Sequence, residues 1–189
     1  MTRAFRADPL PHDLLASVVG AGRRAPSAGN SQGVAFVVLE GSEQTARYWD
    51  ITLADRSSFG FPGLLAAPAL VLVLAHSQTY VERYAEPDKA STGLGEGADR
   101  WPVPYWTVDA AFAAMLIQLA AIDAGLGVLF FGPFEHEPEV LRALGVPEGH
   151  DAIGTLAIGW ADAERDTRAG TSAQRARRGT EEVIHWGAW

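Results

Sequence analysis

The chain has 189 residues, a net charge of −8 and no cysteine. The acidic balance excludes a broad nucleic-acid or anionic-membrane surface, since both need net positive charge, and the missing cysteines exclude disulfides, thiolate catalysis and cysteine-held metals. At 48% apolar and 20% charged residues, the composition is that of a soluble globular protein, read as one domain over 1–189.

The opening MTRAFRADPLPHD is polar and charged and lacks the apolar stretch of a signal peptide. No uncharged apolar run reaches the ~18 residues of a membrane span, so a cytoplasmic location is expected. Leu14, Leu15, Val18 and Val19 recur at helical spacing and predict a helix over about 12–24. Pro26, Gly29 and Gly33 then force a loop. Val34–Leu39 reads as a buried strand, Gln44–Asp55 as a helix, and Pro62 to Pro68 as an irregular stretch. Leu70–Ala75 (LVLVLA) is apolar on both faces, which predicts a central strand. Residues 86–104 carry Pro87, Gly93, Gly95, Gly97, Pro102 and Pro104 and predict a long loop.

Thr107–Ala124 is the clearest helix, with Thr107 as a candidate cap, Asp109 suited to the positive first turn and Gly125 closing it. Its interior is apolar nearly all round, so burial on every side is expected, which a second subunit would supply. Val128–Phe131 and Ile153–Ile158 follow as strands, with a short helix near Glu137–Leu144 between them. The tail from Ala161 to Trp189 has no periodicity. Helices and strands mingle without a βαβ series, which favours α+β.

Several motifs fail on context. Gly20-Ala21-Gly22-Arg23-Arg24-Ala25 fits GxGxxA, but it follows a helix and precedes a proline-glycine loop, so the strand–turn–helix of a dinucleotide site is absent. His12, His76, His136, His150 and His185 are scattered without metal-ligand spacing, and no metal is expected. No GxSxG elbow and no carboxylate pair in an apolar setting occurs. An enzyme with this sequence needs a cofactor to carry its chemistry. RRAPSAGNSQ (Arg23 to Gln32) joins a helix to a strand and concentrates hydroxyl, amide and glycine groups. It reads equally as a donor-rich loop for a polar ligand or as an ordinary turn. In WPVPYW, Trp101, Tyr105 and Trp106 read equally as pocket lining or as anchors of the long loop.

RRAPSAGNSQ followed by the strand VAFVVLE resembles the nitroreductase family. So do AAFAAMLIQLAAIDAGLGVLFFGPF, LGVP (Leu144–Pro147) before IGTLAIGW, the tail RRGTEEVIHWGAW, and RAFRADPLP, which resembles the end of an N-terminal arginine motif. The resemblance implies an α+β fold with a central mixed β-sheet flanked by helices, and an intertwined homodimer with FMN at the interface. It implies electron transfer from NADH or NADPH to a nitroaromatic, quinone or free flavin by a ping-pong route. A biosynthetic dehydrogenase, a flavin-modifying enzyme or a flavin-binding protein without turnover are the alternatives within the same fold.

Carried onto this chain, the resemblance places Arg3 near the flavin or ribityl chain. It places Pro26, Ser27, Ala28 and Asn30 in the loop that the other subunit offers, and Phe131, Gly132 and Pro133 beside flavin N5. Arg177, Arg178 and their neighbour Arg175 are placed at the phosphate. Gly33 stands where the family commonly has proline, and Gly159-Trp160-Ala161 where it often has Gly-Tyr-Pro.

Overall fold

A computed structural model describes residues 1–166 and 175–189. Its frame is a four-stranded sheet of β1 (Val34–Glu40), β2 (Ala69–His76), β3 (Gly127–Phe131) and β4 (His150–Gly159), in the order β1-β2-β4-β3. Helices α1 (His12–Gly20), α2 (Gly41–Thr52), α3 (Ser77–Ala85), α4 (Tyr105–Asp123) and α5 (Glu137–Ala143) surround it. The α+β expectation holds, and so does the interior place of the LVLVLA strand.

β2 shows why the sheet has two covered faces. Successive side chains of a strand point to opposite sides, and every residue from Ala69 to Ala75 is buried. Ala69, Val71, Val73 and Ala75 pack with Leu15 and Val18 of α1 and with Ala110, Ala114, Ile117 and Ala121 of α4. Leu70, Leu72 and Leu74 pack on the other side with Phe5, with Tyr48 and Trp49 of α2, with Leu64 and with Val140 of α5.

All three hydrogen-bonded strand pairs are antiparallel, which corrects the expected mixed sheet. β2 and β3 do run the same way, joined through α4, but β4 lies between them and pairs with both. No parallel pair is therefore bonded among the described residues.

One expectation about α4 also changes. Thr107 is not its cap: the helix begins two residues earlier, after Pro104, and the Thr107 amide already donates to the Pro104 carbonyl at 2.9 Å. In the single copy α4 is covered on one side, and the side left open is where the expected second subunit would lie. Its alanine face lies on the sheet, while Phe112, Met115, Leu119 and Ile122 are 49–61% exposed on the other side. By length and composition alone α4 is long and apolar enough to cross a bilayer. Gly125, at φ +75°, ends the segment as expected.

The 86–104 loop is built from three 3-10 turns, Ala90–Thr92, Leu94–Glu96 and Ala98–Arg100. α3 buries Tyr80 and Val81 among polar residues.

Candidate functional site

The chain's first residues are fixed to the sheet edge. Thr2 N donates to Val128 O, Phe5 bridges to Ala161, and Arg6 N donates to Trp160 O at 2.9 Å. This lays Arg3 across the end of β3, with its own amide donating to Asp166 Oδ2 at 3.0 Å.

Beside it opens a cavity of about 400 Å3, which Arg3 shares with Trp49, Phe59, Phe61, Phe131, Gly132 and Pro133. Trp49 and Phe131 stack with centroids 5.7 Å apart and planes 12° from parallel, and the Arg3 guanidinium lies 6.0 Å from the Phe61 ring centre. These walls suit a flat, largely apolar ring system with an anionic or electron-rich edge near Arg3. Gly132 lies one residue beyond the last ladder pair, Phe131–Thr155. A Cβ there would meet the Phe134 ring at 2.9 Å. Phe134 itself holds φ +46° while 83% exposed, an uncommon backbone for a bulky residue and of a kind that gathers at functional sites.

Arg3, Phe131, Gly132 and Pro133 are thus brought together. The Pro26–Asn30 loop is not: it lies on the opposite side of the sheet, over α3 and α4. Ala28 N donates to Asp109 Oδ2 at 2.8 Å, Tyr80 Oη donates to the same oxygen at 2.8 Å, and Arg83 Nε donates to Gly29 O at 2.8 Å. Gln32 N donates to Ser27 Oγ, and Ser31 Oγ to Ala28 O.

Gly29, Asn30 and Gln32 all have left-handed backbone, at φ +60°, +56° and +58°. For residues with a side chain this costs of order 1–3 kcal/mol each, though asparagine tolerates it best. Gly29 is required twice over, because a Cβ would also meet Tyr84 at 2.7 Å. A small polar depression beside the loop is bordered by Arg23, Ser27, Gln32 and Asp109. Burial, then the hydrogen bond to Asp109, raise the Tyr80 phenol far above its ordinary value.

The tail arginines line neither the Gly132 cavity nor the depression beside the turn. Arg175 and Arg177 are exposed, and Arg178 is tied to its own segment, donating from Nη2 to Glu182 O at 2.6 Å. Arg165, which the sequence reading passes over, lines a second depression with Arg3 and Asp166. Trp101 is buried and donates from Nε1 to Leu94 O at 3.0 Å, with its ring against Tyr80, Tyr84, Tyr105 and Trp106. These aromatics hold the long loop down, and none of Trp101, Tyr105 and Trp106 borders the Gly132 cavity. The described residues hold no group of three or more metal-ligating side chains.

The nitroreductase family model matches residues 1–160. The chain belongs to the nitroreductase family. A protein of Archaeoglobus fulgidus, provisionally named an NADH dehydrogenase/NAD(P)H nitroreductase, is 25% identical over 167 residues, which cover 87% of this chain and 82% of that one. The fold recurs in a nitroreductase-like protein of Streptococcus mutans, with a TM-score of 0.72 at 18% identity over 97% of this chain and 92% of that one. It recurs in the NADPH:FMN oxidoreductase of Vibrio harveyi, solved with NAD+, with a TM-score of 0.69 at 20% identity over 100% of this chain and 73% of that one. At such identities the two structures speak for a nitroreductase fold. The GxGxxA run is a helix end here: Gly20 closes α1 and a 3-10 turn follows.

Proposed function

We propose that this nitroreductase-family chain is an FMN-dependent NAD(P)H oxidoreductase of one domain that works as a homodimer and reduces a nitroaromatic, a quinone or a free flavin by a ping-pong route. The carrying observation is the separation of the two half-sites. The aromatic cavity at Gly132 and Arg3 lies on one face of the sheet, and the Ser27–Asn30 turn on the other. A single copy cannot offer both to one ligand, whereas a second copy seated on the exposed face of α4 can.

The residues present fit the cofactor. The cavity has flat aromatic walls, a glycine where a backbone must come close, and a cation at its rim. When bound, FMN supplies hydride uptake from the nicotinamide and electron delivery to the acceptor. The chain's part is to hold and orient it. Phe131, Gly132 and Pro133 would line the reactive edge, with peptide dipoles in place of side chains. Arg3 would supply positive charge, joined by Arg165 at the neighbouring depression and by the tail residues Arg175, Arg177 and Arg178. Ser27 and Asn30, with Pro26 and Ala28, would close the site from the partner copy.

Purified protein should be yellow, with flavin absorption that NADH or NADPH bleaches without oxygen and that a quinone restores. A colourless protein that takes up no added FMN would remove this reading.

A further inference from the structure

Asn30 and Gln32 both hold left-handed backbone, with right-handed Ser31 between them and left-handed Gly29 before, so the Ser27–Gln32 turn bends against the preference of these two residues and needs support from outside. Two helices supply it. From α4, Asp109 reaches the turn at Ala28 N; it is 3% exposed and takes both Ala28 N and Tyr80 Oη on one oxygen. From α3, Arg83 holds Gly29 O and is itself fixed by paired contacts to Asp88 at 2.7 and 2.8 Å. A buried carboxylate is a costly group to keep, and hydrogen bonds to a charged acceptor are the stronger ones.

We propose that Asp109, oriented by Tyr80, is a positioning residue for the flavin site: it presets the turn so that Ser27 and Asn30 meet the cofactor already in shape. This rests on the functional reading above, in which that turn closes the partner's site. The charge of Asp109 also fixes which part of the cofactor the turn meets. Asp109 and Arg23 border the same polar depression as Ser27 and Gln32. With Asp109 beside it, Arg23 leaves no net positive field there for a phosphate, which favours an uncharged part of the cofactor. The turn therefore takes the ring or ribityl portion, and the phosphate lies at the arginines elsewhere.

The test uses the full chain stripped of flavin, titrated with FMN and with riboflavin, together with hydrogen exchange of the segment 26–32. Asp109→Ala should weaken both flavins by about tenfold or more and speed exchange in the turn. Asp109→Asn keeps an oxygen for Ala28 N and Tyr80 Oη and should restore both affinities to within about threefold. Tyr80→Phe should show the same pattern at smaller size, and decides the matter if Asp109→Ala does not fold. Unchanged flavin affinity in Asp109→Ala or Tyr80→Phe, with wild-type binding intact, overturns the assignment alone. A loss confined to FMN puts the phosphate at the turn and overturns it too. Wild-type protein that binds neither flavin overturns the functional reading, and the assignment with it.

Discussion

Replacing Gly132 by valine probes the site with little threat to the fold. The glycine lies outside the left-handed region and precedes Pro133, which biases it toward extended backbone that valine adopts readily. An added Cβ would sit 2.9 Å from two Phe134 ring atoms, against an ordinary carbon contact of ~3.5–4.0 Å. Relief takes a ring movement of roughly 1 Å, and Phe134 is 83% exposed and free to swing outward. The expected loss of stability is therefore within about 1 kcal/mol. The branched side chain would instead occupy the cavity mouth where a flat ring must approach the backbone. The expected result is a folded protein whose FMN affinity, or rate of bleaching by NAD(P)H, falls at least about tenfold, or ~1.4 kcal/mol. Stopped-flow absorbance under anaerobic conditions, with calorimetry for stability, separates the two effects. A variant that stays yellow and bleaches at the wild-type rate would take Gly132, and Phe131 and Pro133 with it, out of the site.

Leu119→Glu places a charge on the uncovered face of α4, where burial of an unpaired ion costs several kcal/mol; light scattering should show loss of the dimer, and an unchanged mass would move the interface elsewhere. Arg177→Ala with Arg178→Ala should weaken FMN binding by about ten- to hundredfold, the worth of a charge-assisted phosphate contact, while full flavin occupancy in the double variant would clear the tail of that role. Trp101→Ala should cost ~3–5 kcal/mol of stability, lowering the melting temperature by about 10 °C, because its ring packs on Tyr80, Tyr84, Tyr105 and Trp106; an unchanged melting temperature would refute its role as an anchor of the long loop. Burial pushes the Tyr48 phenol up to about 12, partly offset by its hydrogen bond with Thr155. A proton held more tightly in the folded state contributes stability that is full below the unfolded value near 10 and disappears as pH rises toward 12. Alkaline titration of stability should show that loss, and in Tyr48→Phe the part due to Tyr48 should vanish.

The local elements were legible in the chain because each announces itself within a few residues. The alternation-free LVLVLA of β2 reads as a strand covered on both faces, and Leu14, Leu15, Val18 and Val19 read as a helix stripe. The family motifs pointed to Arg3, Ser27, Asn30 and Gly132, of which the fold brings Arg3 and Gly132 to one cavity. What the sequence alone left open is set by contacts between distant positions. Whether the sheet is mixed or antiparallel depends on β4, last in the chain, inserting between β2 and β3. The separation of the Gly132 cavity from the Ser27 turn follows from which face of β2 each packs over. Asp109 reads in sequence as one more acidic residue in a helix's first turn. Only the fold brings it to Ala28 and Tyr80, 81 and 29 residues away, because a buried carboxylate takes its meaning from the donors that the chain folds around it.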